Sequence, residues 1–332
     1  MASEEAMERE VAAAPSQREL RLPVARDEKL SIRSGELIAV MAAVLGLTII
    51  LWNRERLTDW YGAAAVLVTI AIAPLALRAV QSRFAGNRWI RFLADFGPIG
   101  YIVGLYLYLN PILDAVNIPI ADEWLVQADQ RIFGLQPAIW LQQVLPPVVN
   151  DVLLGAYTTY FIWPLALGLV LWLQRRETEF DEFVTALMFF YAVNYAFYAI
   201  VPAMGPRYYQ AAFFDGPVQG QFFAQHIETI FRASPLARDC FPSGHTGISL
   251  LVLGYAWRTS RRFFWFALPF MVCLILGTLA GRFHYGIDLI AALPLTALSL
   301  FVAATLRQRM PEGMLVGRAL PSIAVRRDRP SS

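Results

Sequence analysis

Eight long apolar runs follow one another along this sequence, and they constrain its fold more than any other feature. They lie at about residues 36–52, 61–80, 95–113, 151–174, 183–201, 243–257, 263–281 and 286–306. A helix needs roughly 20 residues to cross a bilayer core, and most of the runs approach that length. Because a bilayer supplies no hydrogen-bond partners to the backbone, such runs cross it as helices. The sequence therefore predicts an all-α polytopic membrane protein with about eight transmembrane helices.

Composition agrees with a membrane protein and excludes several other classes. Hydrophobic residues make up 57% of the 332 and charged residues only 16%, whereas a soluble domain is about 25% charged. The net charge of +2 gives no reason to expect a nucleic-acid partner. Cys240 and Cys273 are interpreted as free thiols. With only three histidines and no CxxC or HxxxH spacing, neither a metal site nor a cofactor is expected.

The positive residues predict the orientation of the chain. If the amino terminus is cytoplasmic, 21 of the 28 Lys and Arg residues lie in cytoplasmic segments, as the positive-inside rule requires. Both termini are then cytoplasmic, and segments 202–242 and 282–285 lie on the extracytoplasmic face, which is periplasmic or lumenal. We expect flexible cytoplasmic tails at 1–35 and 307–332, two additional helices within 36–94, and a six-helix core at 95–306.

Segment 114–150 is too polar to span a membrane, but it carries apolar residues at helical spacing, among them Trp124 and Trp140. Two interpretations remain open for it. An amphipathic helix can lie along the membrane surface with its tryptophans at the headgroup level, or it can pack on the rim of the bundle. Asn194 within the fifth run is interpreted as an interhelical hydrogen-bonding residue.

The sixth apolar run begins with polar residues, in the stretch CFPSGHTGISL at 240–250. Its 15 residues extend about 22 Å as a helix, so its amino end is expected below the membrane surface. Pro242 suits a first helical turn, and Ser243 and Gly244 would leave backbone N–H groups there. A helix amino terminus with such donors favours an anion, most often a phosphate.

A second polar cluster, GRFHYGID at 281–288, separates the last two runs. His284 and Asp288 are four residues apart and would share one face of a helix. A carboxylate bonded to one imidazole nitrogen fixes the tautomer and raises the basicity of the other nitrogen. This arrangement suits a nucleophile or a general base.

A single histidine at a helix end is more often a capping or interfacial residue than a catalyst, and His226 keeps that interpretation. His245 and His284, however, occur with Asp288, Ser243 and two arginines on one predicted membrane face. Ionisable groups at membrane depth are costly and point to function. The combination favours a catalytic site.

These motifs resemble the type-2 phosphatidic acid phosphatase superfamily over about residues 95–306. The family signatures are broadly K-x6-RP, PSGH and SR-x5-H-x3-D. The second is intact at residues 242–245, whereas the third has Thr278 in place of its arginine, and no lysine occurs after Lys29 for the first. GPRYY at 205–209 and RFHYGID at 282–288 are closer to the inositol phosphorylceramide synthase branch, which transfers inositol phosphate.

The resemblance implies a metal-independent lipid phosphatase or phosphotransferase with a phosphohistidine intermediate. His284 would be the nucleophile, Asp288 its orienting partner and His245 the general acid and base. The phosphate would be bound by Arg207, Ser243, Gly244 and Arg282. The substrate would be a lipid phosphate or a phospholipid headgroup, and the acceptor either water or an alcohol such as inositol or another lipid. The departures from the phosphatase signature favour inositol-phosphate-type transfer.

Two other functions compete with this one. A non-enzymatic lipid-binding or lipid-transport protein could use the arginines for binding alone, but it would not need two histidines and an aspartate. An intramembrane serine protease could use Ser243, but the residues around Ser243 suit phosphate binding better than acyl transfer.

Overall fold

The computed structural model describes residues 29–233, 238–311 and 314–318, and nearly all of its regular structure is helical. The first seven helices are α1 (Ser34–Trp52), α2 (Trp60–Arg83), α3 (Arg88–Leu107), α4 (Leu109–Val116), α5 (Asp122–Phe133), α6 (Pro137–Val144) and α7 (Pro147–Thr158). The others are α8 (Ile162–Leu173), α9 (Glu177–Ile200), α10 (Pro206–Tyr209), α11 (Phe223–Ala233), α12 (Gly244–Thr259), α13 (Arg261–Ala280) and α14 (Gly286–Arg309).

Six of these helices, α1, α2, α3, α9, α13 and α14, are long and apolar enough to cross a membrane. The bent pair α7 and α8 together makes up to a seventh span. The sixth apolar run forms α12, which has 16 residues and is shorter than the others. The predicted all-α membrane fold is confirmed, and each of the eight apolar runs corresponds to a helix or a broken helix.

Two strands join the ends of the described chain. β1 (Lys29–Ile32) pairs antiparallel with β2 (Met314–Arg318). Both strands fall within the stretches 1–35 and 307–332 that were expected to be flexible tails, and so do the first two residues of α1 and the last three of α14. Residues 1–28, 312–313 and 319–332 lie outside the described residues.

Two apolar runs are interrupted where a proline removes a backbone donor. Pro164 cannot donate to the carbonyl of Tyr160, and a 45° bend separates α7 from α8 at this point. Pro111 likewise leaves the carbonyl of Leu107 without its helical partner, and α3 ends at that residue. Tyr157, at the end of α7, and Tyr160, at this bend, both contact the ring of His245.

Ion pairs at one end of the bundle join the two additional helices to the rest. Arg78 of α2 contacts Glu36 of α1 at 2.8 Å and Asp95 of α3 at 3.1 Å, and all three side chains are buried. Arg33 contacts Asp95 at 2.9 Å and Asp181 of α9 at 2.5 Å. These charges compensate one another, so α1 and α2 are fixed to α3 and α9 at the end opposite the two histidines.

The helices that carry the histidines pack closely through glycines. A Cβ on Gly247 of α12 would lie 2.0 Å from Phe190 of α9. A Cβ on Gly277 of α13 would lie 2.5 Å from the carbonyl oxygen of Leu153 in α7. Small residues allow backbones to approach in this way in membrane bundles, and here they bring α12 against α9 and α13 against α7.

Candidate active site

His284 and Asp288 form a buried pair, but not as two residues of one helix. His284 precedes α14, whose first residue is Gly286. The Asp288 side chain folds back towards the start of its helix, where Oδ2 lies 3.2 Å from His284 Nδ1 and accepts a hydrogen bond from the Tyr285 N–H at 2.8 Å. The predicted contact between His284 and Asp288 is therefore present, but it arises because Asp288 caps the start of α14. The contact fixes the orientation of the imidazole through Nδ1.

Cys240 is a third member of this group. Its thiol donates to Asp288 Oδ2 at 2.9 Å and lies 3.8 Å from His284 Nδ1. The side chains of Cys240, His284 and Asp288 are all nearly or fully buried. Sequence reasoning assigned Cys240 no role beyond that of a free thiol, since 44 residues separate it from His284.

His245 lies opposite His284, with their ring centroids 5.7 Å apart. Its ring stacks on Tyr157 at 4.6 Å and contacts Tyr160 at 4.3 Å. The Tyr160 hydroxyl is also 2.7 Å from that of Tyr191. The two rings therefore fix the orientation of His245, because their own positions are set by the bend between α7 and α8.

Ser243 is the N-cap of α12, so Pro242 precedes the helix and does not occupy its first turn. Ser243 Oγ accepts from the Thr246 N–H at 3.2 Å, while the Ser243 N–H donates to the Asp288 carbonyl at 3.1 Å. The expectation of a free Ser243 N–H is therefore wrong. The N–H groups of Gly244 and His245 also lie in the first turn of α12, and neither of them is a donor in these two hydrogen bonds.

Asn194 of α9 holds this loop in place. Its Nδ2 donates to the Pro242 carbonyl at 2.8 Å. A Cβ on Gly244 would lie 3.2 Å from Asn194 Oδ1 and 3.3 Å from the Tyr198 hydroxyl. Asn194 thus bonds to the segment preceding α12, in agreement with its interpretation as a hydrogen-bonding residue between helices.

Arg207 and Arg282 line a common cavity of about 320 Å³, together with Tyr208, Phe214 and Glu228. Arg207 forms an ion pair with Glu228, and its N–H donates to the Arg282 carbonyl at 2.8 Å. The Arg282 guanidinium donates to Gln142 and to the Gly216 carbonyl. Neither His245 nor His284 lines this cavity. The structure therefore places both arginines in a cavity that the two histidines do not line, with the Phe283 ring under the Arg207 guanidinium.

The cavity holds two guanidinium groups and the carboxylate of Glu228. Burial lowers the pKa of Arg282 to about 10, and the positive charge of Arg207 acts in the same direction, while the carboxylates of Glu228 and Asp215 act against it.

Two buried carboxylates of α5 connect this helix to the segments that carry Arg207 and His284. Asp122 accepts from the N–H groups of Met204 and Gly205, each at 2.9 Å, and from the Tyr285 hydroxyl at 2.8 Å. Asp129 accepts from the N–H groups of Gly286 and Ile287 at 2.8 and 2.7 Å. Burial raises the pKa of Asp129 to about 6.

The structure therefore supports rim packing for segment 114–150, although Trp124 and Trp140 remain about half exposed on its outer side.

Sequence reasoning missed Asp122 and Asp129. A signal was present, because residues seven apart share a helix face and both aspartates fall on the face of buried Leu125. A carboxylate on the apolar face of an amphipathic helix indicates a buried partner.

The family model of the PAP2 superfamily matches residues 123–302, more than half of the chain. The match includes the segments of His245 and His284 and leaves out α1 to α4. No curated protein and no solved structure matches the chain significantly. Membership indicates a membrane protein with an activity of the lipid phosphatase or phosphotransferase type, on a lipid phosphate substrate. The chain belongs to the PAP2 superfamily.

Proposed function

We propose that this protein transfers a phosphoryl or phospho-headgroup unit from a lipid through a covalent intermediate on His284. The observation that carries the proposal is the pairing of His284 Nδ1 with Asp288 at 3.2 Å, with the His245 ring 5.7 Å from that of His284. One imidazole is oriented by a carboxylate, and the other lies across from it.

In the first step, His284 Nε2 attacks the phosphorus of the lipid while the bond from phosphorus to the leaving oxygen breaks. Asp288 holds the Nδ1 proton and stabilises the positive charge that develops on the ring. His245 donates a proton to the leaving oxygen. The products are a phosphohistidine and the released alcohol.

In the second step, an acceptor hydroxyl attacks the phosphohistidine and the bond from phosphorus to nitrogen breaks. His245, now lacking a proton, removes the hydroxyl proton of the acceptor. His284 is thereby regenerated, and no other group has to change its protonation state over the cycle.

Charge on the non-bridging oxygens is stabilised from two directions in this mechanism. The first-turn N–H groups of α12, at Gly244 and His245, present the positive end of the helix dipole, with Ser243 closing the turn. Arg207 and Arg282 supply positive charge from the adjoining cavity.

For the reaction type, we propose inositol-phosphate-type transfer to an alcohol, such as inositol or another lipid, rather than to water. The support is in the sequence: GPRYY and RFHYGID replace the lysine and arginine signatures of the phosphatases. The site is proposed to face the extracytoplasmic side, because 21 of the 28 positive residues lie on the side of the termini.

The test uses purified protein in detergent with ³²P-labelled phosphatidic acid and labelled phosphatidylinositol, with and without free inositol. The wild type is expected to release product and to carry an acid-labile label on the protein. His284→Ala should lose both, and His245→Ala should turn over at least about 100-fold more slowly. His226→Ala is the matched control, since His226 is exposed outside the site. Turnover of His284→Ala at the wild-type rate would exclude His284 as the nucleophile.

The same experiment distinguishes the alternatives. Free phosphate without an alcohol acceptor indicates a phosphatase, whereas product that requires an alcohol acceptor indicates a transferase. Lipid binding without turnover, equal in the wild type and in His284→Ala, would support a non-enzymatic lipid carrier.

A further inference from the structure

Cys240 Sγ, His284 Nδ1 and Asp288 Oδ2 form a compact triangle of metal-ligand atoms. Their separations are 2.9 Å for sulfur to oxygen, 3.2 Å for nitrogen to oxygen and 3.8 Å for sulfur to nitrogen. The three residues come from two segments that are distant in sequence, so no motif spacing reveals them.

The triangle matches the coordination shell of a small soft cation. Zinc binds sulfur at about 2.3 Å and nitrogen or oxygen at about 2.0–2.2 Å in a tetrahedral arrangement. Two ligands of such an ion are about 3.3–3.6 Å apart. The distances from nitrogen to oxygen and from nitrogen to sulfur are close to that range. The distance from sulfur to oxygen has to increase by about 0.7 Å.

A second observation points to a cation. Asp288 is fully buried, and its Oδ1 has no hydrogen-bond partner among the described residues. A buried carboxylate oxygen without a donor is costly, and a metal bound by both oxygens of Asp288 would satisfy it. The donor set is then one thiolate, one imidazole and a bidentate carboxylate.

We propose that Cys240, His284 and Asp288 bind a thiophilic divalent cation of the Zn²⁺ or Cd²⁺ class, and that this binding inhibits the protein. The ion displaces the thiol proton of Cys240, which is released to solvent. It also occupies His284 Nδ1, so the ring proton moves to Nε2. Nε2 then has no lone pair with which to attack phosphorus.

The inhibition rests on the proposed function, but the metal site does not, and the two are measured separately. Binding is measured with Co²⁺ added to the purified full chain under reducing conditions. The wild type is expected to bind one Co²⁺ with a near-ultraviolet band from thiolate to metal. Cys240→Ser should lose the band and bind at least about tenfold more weakly, whereas Cys273→Ser, which removes the other cysteine, should retain both.

A folded wild type without the thiolate band, or a Cys240→Ser variant that keeps it, would overturn the site. X-ray absorption of the Zn²⁺-loaded wild type needs no variant and should show one sulfur ligand. Zero sulfur ligands would be equally decisive against the proposal.

Activity is then assayed with Zn²⁺ and with a chelator. Reversible inhibition of the wild type, with a midpoint that tracks the binding constant, supports the inhibitory role. If Zn²⁺ binds at Cys240 and turnover is unchanged, the metal site stands but the inhibition and the assignment of His284 as nucleophile are both refuted.

Discussion

Asp122 accepts a hydrogen bond from the hydroxyl of Tyr285 at 2.8 Å, across 163 residues of sequence. Tyr285 follows His284 directly, and the same carboxylate binds the backbone N–H groups of Met204 and Gly205, just before Arg207. One side chain of α5 thus fixes both the proposed nucleophile and a proposed phosphate-binding arginine.

Asp122→Asn should therefore lower turnover by about 10- to 100-fold, because an amide cannot accept all of these bonds and small displacements of reacting groups are costly. The Michaelis constant should change less than kcat. Glu123→Gln, the same change at an exposed neighbouring carboxylate, is the control and should keep most of the activity. Equal effects of the two substitutions would refute a positioning role for Asp122.

Asp288→Asn tests the orientation of His284. An amide presents the wrong hydrogen-bonding pattern to Nδ1, and loss of an orienting carboxylate lowers rates by about 10²–10⁴-fold. We expect slow formation of the phosphohistidine, measured by rapid quench, with lipid binding retained. Unchanged phosphorylation kinetics would contradict the proposed role of Asp288.

Gly277→Ala should destabilise the protein by about 1–3 kcal/mol, because the new methyl group would overlap the backbone of α7. Gly100→Ala in α3 is the matched control, since a Cβ there meets nothing within 4 Å. Alanine should stabilise that helix by about 0.5–1 kcal/mol. Thermal unfolding in detergent compares the two, and a higher midpoint for Gly277→Ala than for Gly100→Ala would argue against this packing.

Arg78→Ala should lower the stability of the protein more than the substitution of most other charged residues. It leaves Glu36 and Asp95 buried without the partner that neutralises them, at a cost of about 3–5 kcal/mol. Arg88→Ala removes an exposed arginine at the same end of the bundle and should cost less than about 0.5 kcal/mol. Folded yield and thermal midpoint measure both, and similar values would contradict the buried network.

The proposed orientation predicts which loops an impermeant reagent can reach. In sealed membrane vesicles whose extracytoplasmic face is outward, a short epitope inserted at exposed Gly216 should be accessible, and one inserted after Arg309 only after permeabilisation. Antibody labelling of both insertions tests this, and the reverse pattern would place the site on the cytoplasmic face.

The sequence by itself determined the membrane class, because apolar runs of about 20 residues have few alternatives to crossing a bilayer as helices. It also identified PSGH and the H-x3-D pair as candidate chemistry, since both are short motifs whose residues are close in the chain. The runs at 95–113 and 151–174 were expected to be unbroken, whereas the structure divides each into two helices near Pro111 and Pro164.

Contacts between distant segments were decided only by the tertiary structure. Cys240 meets His284 and Asp288 across 44 and 48 residues, and Asp129 reaches Gly286 across 157. The chain reverses between α13 and α14 at Arg282, whose φ is 63°. The side chain of Arg282 lines the same cavity as Arg207. Hydropathy and spacing describe one segment at a time, whereas these contacts depend on how close packing at Gly247 and Gly277 brings several helices to one polar end.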